Sequence, residues 1–261
     1  NELPKKIISE NNENKKNDFL LKVIPKIKRE TYDIYPIINS IVDKNSFFEI
    51  GRKYGLSVIS GFARLDGYPI IIIANNPQVY GGGWTSNSSK KIIKIIDLAQ
   101  VFHFPVLNLI DNPGFVIGKQ AEKDATIKYG AKALAAIYQL KVPVCSVILR
   151  KVFGVAGAAH MNHTNFRYRL AWPSADWGSL PFEGGIEAAY KSEILKSNNP
   201  AEYIKQVNNR LSQVTSPFRT AEKFLIEDII DPRDTRKKIC KWIKIAFKNL
   251  KAGPRYFGYR P

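Results

Sequence analysis

A chain of 261 residues, 44% of them hydrophobic, can bury a large core and is neither a disordered nor a fibrous sequence. Its longest apolar runs, such as Ile70-Ile71-Ile72-Ile73-Ala74, are of strand length, well short of the ~20 residues that span a bilayer, and two cysteines, Cys145 and Cys240, exclude a disulfide framework or a Cys-rich zinc site. The net charge of +17 is concentrated at one end: from Pro232 to Pro261, ten Lys or Arg face the single acidic Asp234. This reads as a solvated helix face. No aromatic-interleaved or Gly-Arg pattern points to nucleic acid, while a phosphate-bearing cofactor or an acidic partner also suits it.

Residues 1–30, rich in Lys, Asn and Glu, read as a flexible entry segment or linker, with the folded domain over 31–261. Ile34, Ile37, Ile38, Ile41 and Val42 have helical spacing with Pro36 in the first turn, and Phe47–Ile50 is a short strand. Leu56–Ala63 and Ile70–Ala74 flank Asp66-Gly67, a hairpin signal. After the loop Tyr80-Gly81-Gly82-Gly83-Trp84, any of residues 85–89 could cap a helix Lys90–Phe102, whose apolar face is Ile92, Ile93, Ile96 and Ala99. Strand Pro105–Ile110 ends at Asp111-Asn112-Pro113-Gly114-Phe115. The unit repeats as a helix over about Asp124–Leu140, strand Val142–Leu149, a glycine-rich turn and a helix start. Strands alternating with helices predict an α/β architecture with a largely parallel sheet covered on both faces. Beyond Trp172-Pro173 the pattern turns mainly helical: Pro181–Gly185 precede a helix through Leu195, another runs through Leu211, and Thr235–Leu250 is the last long one.

The organising stretch is Arg150–Met161. Its strand-to-helix turn presents the first N–H groups of a helix, which have no intrahelical partner, and Gly154, Ala156, Gly157 and Ala158 carry little side chain to keep a ligand from them. An oxygen gaining negative charge would be stabilised there, although the same small residues also serve close packing. The turns 112–115 and 154–157 should emerge at one carboxyl edge, joined by Gly81-Gly82-Gly83. There is no dinucleotide fingerprint, phosphate loop or nucleophile elbow. The pair His160 and His163 has no nearby Asp, Glu or Cys, so no metal is expected. What remains is a site built from backbone donors.

Taken together, Asp111–Phe115, Arg150–Gly157, Ala171-Trp172-Pro173-Ser174-Ala175 and Asp228–Arg236 closely resemble the carboxyltransferase subunit of biotin-dependent acyl-CoA carboxylases, the propionyl-CoA carboxylase β-type being the nearest kind. The resemblance runs from about Tyr32 to the end and covers the C-terminal half of the family's usual two-domain chain. It implies a crotonase-like (ClpP/crotonase) ββα spiral fold with C-terminal helices, and carboxyl transfer from carboxybiotin, borne on a separate carrier domain, to the α-carbon of a short acyl-CoA. It also implies that the Val155 and Ala156 backbone N–H groups form the biotin-side oxyanion hole. Gly154 and Gly157 shape that turn, and Gly114, Phe115, Gly82 and Gly83 stand at the cofactor-binding edge. Propionyl-type enzymes carry an Asp where this chain has Ala158, a position tied to acyl-chain selection, so the acyl chain stays open. The implied partners are a biotin carboxylase/biotin carrier subunit and further copies of the chain, as a dimer or hexamer, with no membrane and no nucleic acid. The implied compartment is the cytoplasm, or the mitochondrial matrix in a eukaryote. Lacking the acyl-CoA-binding N-terminal domain, this chain alone is not expected to turn over. A biotin-dependent acyl-CoA decarboxylase and a non-catalytic basic docking module are the alternatives.

Overall fold

The computed structural model describes residues 3–8, 17–160, 166–179, 186, 189–212 and 215–254. Among these, eight strands form one sheet: β1 (Phe48–Glu49), β2 (Val58–Leu65), β3 (Tyr68–Asn75), β4 (Val106–Asn112), β5 (Val144–Phe153), β6 (Arg167–Ala171), β7 (Asp176–Gly178) and β8 (Asp228–Ile229). The order is β1-β2-β3-β4-β5-β6-β8, with β7 also paired to β5. The first three strands are antiparallel and every later pairing is parallel. The hairpin turns at Asp66 and Gly67, both at positive φ (50° and 77°), as the Asp-Gly signal predicts.

Alternation along the central strands sorts the core into two layers. Ile70, Ile72 and Ala74 of β3 face α1 (Tyr35–Ile41) and the C-terminal helix, whereas Ile71 and Ile73 face α2 (Ser86–Phe102) and α4 (Thr126–Tyr138). Cover on both faces is why β4, and β3 beyond its first residue, are buried without interruption. α2 begins one turn earlier than predicted because Thr85 and Ser88 form a reciprocal capping box. Its buried face includes Ile92, Ile95, Ile96 and Ala99, with Ile93 half-buried and Lys91 buried beside them. The predicted helix 124–140 is broken at Ala125, held at φ 56° between α3 (Lys119–Lys123) and α4.

The C-terminal half departs most from expectation. Besides α5 (Gly154–Ala158), α6 (Lys191–Lys196), α7 (Pro200–Ser212), α8 (Pro217–Glu222) and α9 (Thr235–Lys248), it adds strands β6, β7 and β8 to the parallel edge. The expected turn Pro181–Gly185 lies outside the described residues. α9 is basic on its outer face, yet Ile239, Cys240, Trp242, Ile243 and Ala246 are buried in the core and Arg236 is paired with Asp43 at 2.6 Å. The described part of the entry segment is docked where a flexible linker was expected. Leu20 is buried in the core, the Ile7 N–H donates to the Gly67 carbonyl (3.1 Å), and Asp18 pairs with Arg233.

Candidate functional site

β3, β4 and β5 run parallel, so their carboxyl ends at Asn75, Asn112 and Phe153 present three loops on one edge. The structure brings the predicted glycine loops together there. Trp84 donates its N–H to the Gly114 carbonyl (3.0 Å), Val116 donates to the Trp84 carbonyl (2.9 Å), and Trp84 bridges Phe115 in parallel. The Asn75 side chain holds both sides, donating to the Gly82 carbonyl (2.9 Å) and accepting from the Asp111 N–H (3.2 Å). Gly82 sits at φ 88°, and a Cβ there would stand 2.2 Å from the Asp111 carbonyl oxygen, so backbone conformation and close approach both require glycine. Phe115 is fixed on α4, where a Cβ on Gly130 would meet its ring at 2.4 Å. Gly82, Gly83, Gly114 and Phe115 thus form a packed shelf behind the turn.

A buried ion pair ties this shelf to β5. Arg150 Nε lies 3.0 Å from Asp111 Oδ2, with both side chains almost fully buried. The same carboxylate accepts the Lys151 N–H (3.0 Å) and the Tyr32 hydroxyl (2.9 Å). Burial pushes the Asp111 carboxyl up, while Arg150, the Lys151 amide and Tyr32 pull it back. The Arg150 guanidinium also donates to the Glu30 carbonyl (2.7 Å) and lies 5.0 Å from the Tyr32 ring centroid, stapling the end of the entry segment over the strand.

From this anchored strand the chain turns at Gly154, held at φ 61° by the sharp change from β5 to α5. As first-turn amides of α5, the backbone N–H groups of Val155 and Ala156 have no intrahelical acceptor, whereas those of Ala159 and His160 donate to the Val155 and Gly157 carbonyls. Val155 is 61% exposed and Ala156 is buried. Gly157 has a packing role of its own, since a Cβ there would come within 2.8 Å of the Val152 carbonyl carbon. Gly154, Gly157 and Ala158 line a cavity of about 610 Å³, together with Val152, Trp177 and Thr220. Val155 and Ala156 are not on its wall, and the shelf glycines are not among its lining residues.

His160 follows α5 and is buried. Its Nε2 lies 3.3 Å from Asn112 Nδ2, and Asn112 Oδ1 accepts the Gly114 N–H (2.9 Å), so one asparagine couples the 112–115 turn to the end of α5. With the amide donating, His160 is neutral and protonated on Nδ1. Burial, aided by Arg169, pushes its pKa down to about 3. Unfolded histidine titrates near ~6.5. The group therefore costs nothing above that value, and as pH falls below it the unfolded chain takes up a proton that the folded chain refuses. Stability should decline by about 1.4 kcal/mol per pH unit from this residue alone until the folded group protonates. Urea melts of wild type and His160→Gln between pH ~6.5 and ~4.5 should diverge with that slope; parallel curves would place the acid sensitivity elsewhere. His163 lies outside the described residues, and among the described residues no three His, Cys, Asp or Glu side chains gather as metal ligands do.

The Asn112 bridge, the Tyr32–Asp111–Arg150 cluster and Arg169 on the cavity wall were not read from the sequence as parts of the site. Asp111 and Arg150 stand at or near the ends of two predicted neighbouring strands, which was the available signal. Comparison with known proteins gives the family. The carboxyl transferase domain model matches residues 1–257. A pig mitochondrial propionyl-CoA carboxylase beta chain is 35% identical over 223 residues, 84% of this chain and 39% of that protein. The methylmalonyl-CoA carboxyltransferase 12S subunit of Propionibacterium freudenreichii subsp. shermanii is 31% identical over 243 residues, 91% of this chain and 46% of that one. A solved transcarboxylase 12S structure, a hexamer holding methylmalonyl-CoA and methylmalonic acid, superposes with a TM-score of 0.86 at 28% identity, covering 100% of this chain and 50% of its own. The chain thus spans about half the length of the curated relatives it matches. With its α/β sheet of crotonase-like type and a family model covering nearly all of it, the chain belongs to the carboxyl transferase domain family, of the acyl-CoA carboxylase type.

Proposed function

We propose that this chain supplies the biotin-facing half of a carboxyltransferase site in a biotin-dependent acyl-CoA carboxylase. The observation that carries the reading is the pair of Val155 and Ala156 N–H groups, without intrahelical acceptors, on a turn stripped of side-chain bulk. A ureido oxygen that gains negative charge as the carboxyl group leaves biotin fits two such donors. Carboxybiotin, when presented by its carrier, brings the activated carboxyl group; the chain's own residues bind, orient and exclude water. Gly154 sets the direction of the donors, Asp111 and Arg150 hold the strand beneath them, and Asn112 locks the neighbouring turn. Ala158 on the cavity wall is the position read as selecting the acyl chain.

The partners in this reading are a biotin carboxylase/biotin carrier subunit and further copies of the chain in a dimer or hexamer, in the cytoplasm or mitochondrial matrix. Similarity to a hexameric structure and to a mitochondrial relative supports this. Among the described residues no helix is long and apolar enough to cross a membrane. The test is carboxylation of short acyl-CoA thioesters by the complete protein with biotinylated carrier, biotin carboxylase, ATP and bicarbonate. Incorporation of labelled bicarbonate into propionyl-CoA or a near homologue is the expected result, and no incorporation into any short acyl-CoA overturns the reading. Release of label from malonyl- or glutaconyl-type thioesters, in place of uptake, assigns the reverse direction.

A further inference from the structure

The cavity beside α5 has a cationic wall that the backbone-donor reading does not use. Arg169, on β6, is only 4% exposed, and its Nη1 donates to the Leu225 carbonyl at 2.7 Å. Its Nε is buried with no hydrogen-bond partner among the described residues, and none of their carboxylates lies within 4.0 Å of the guanidinium. Glu227, the nearby acid, is taken up by the Arg169 backbone N–H. Burial and the neighbouring Arg167 push the Arg169 pKa down to about 10, against the opposing pull of Glu227. Arg219 and Lys223, both exposed, stand on the same wall, and among the described residues neither has a carboxylate partner. Thr215 and Thr220 line it too, as do Gly154, Gly157 and Ala158. A buried guanidinium with few partners on the wall of a cavity that holds further cations is suited to an anion in that cavity.

We infer that Arg169, with Arg219 and Lys223, forms a subsite for a carboxylate, the group in transit between the two substrates of the proposed reaction. A guanidinium flanked by two further cations on a cavity wall suits a carboxylate, whose charge and two oxygens such N–H donors can meet. The inference rests on the carboxyl-transfer reading for the identity of the anion, but not for its existence. Such a carboxylate has two sources, the carboxylated biotin and the carboxylated acyl thioester, and the subsite recognises the chemistry they share.

Calorimetric titration of this chain with malonate tests the subsite apart from any turnover. Saturable binding is expected, weakened at least tenfold by Arg169→Met and several-fold by the exposed double variant Arg219→Gln/Lys223→Gln, with malonamide and chloride failing to compete. The surface pair guards against a buried variant that merely fails to fold. Absence of malonate binding, an affinity unchanged in both variants, or equal competition by chloride overturns the inference. In the complete enzyme, Arg169→Met should raise the KM for a methylmalonyl-type thioester in the reverse direction, for the carboxylated carrier in the forward direction, or for both, and leave the KM for propionyl-CoA unmoved. An effect on the thioester alone places the subsite on the acyl side, and an effect on the carrier alone places it on the biotin side. A protein that binds malonate but transfers no carboxyl group would keep the subsite and sink the carboxyltransferase reading instead.

Discussion

Asp111→Ala is expected to destabilise the domain by about 3–5 kcal/mol, the cost of leaving a buried cation without its partner. The substitution strands the Arg150 guanidinium, 3.0 Å away, in a site from which water is excluded, and leaves the Tyr32 hydroxyl and the Lys151 N–H without the acceptor they share. For a chain of this size such a loss lowers Tm by on the order of 10 °C. Burial pushes the Asp111 carboxyl up even with Arg150 beside it, so the pair itself contributes little net stability, and breaking it is what costs. The double variant Asp111→Leu/Arg150→Met should therefore recover part of the loss, though not all, because Tyr32, Lys151 and the Glu30 carbonyl keep their unmet bonds. Hydrogen exchange should register the loss at Gly82, which packs against the Asp111 carbonyl, and in the 112–115 turn. A single variant that melts within about 1 °C of wild type would mean that the cluster is solvated in solution, and that the shelf under the donor turn is held by other contacts.

The same cluster marks what the sequence could and could not convey. Periodicity located α2, α4 and the central strands because their apolar residues face one layer or alternate between two, and Asp66-Gly67 announced the hairpin by turn chemistry alone. β6 escaped because Arg167 and Arg169 occupy alternate positions of a strand that is otherwise short, and a buried arginine is legible only once its surroundings are known. β7 and β8 span three and two residues, lengths set by what they pair with rather than by their own composition. The break at Ala125, at positive φ, has no glycine or proline to announce it. At the site, the donor turn was visible as a run of small residues, whereas its supports come from far along the chain. Tyr32 is 79 positions from the carboxylate it bonds, Arg150 is 39 from it, and Asn112 is 48 from His160. Side-chain partnerships of that span have no local signal, and the fold alone brings them together.

Val155→Pro should lower carboxyl transfer by about 10²–10³-fold in the complete enzyme, the usual consequence of deleting one donor from an oxyanion hole. The position makes the substitution cleaner than a proline in most helices. Helical dihedrals begin after Gly154, which sits at φ 61°, so Val155 occupies a first-turn position where the fixed φ of proline is tolerated and the missing N–H breaks no intrahelical bond. Gly154 lacks the Cβ that a following proline ring opposes. The residue it replaces is 61% exposed, so little packing is lost, and Val155→Ala, which keeps the N–H, should stay within a few-fold of wild type. Thermal melts should overlay for all three proteins, and the proline variant should still bind the biotinylated carrier. A folded Val155→Pro enzyme that turned over like wild type would remove the N–H pair from the mechanism and leave the small residues of 154–158 with a purely packing role, as Gly157 already has against Val152.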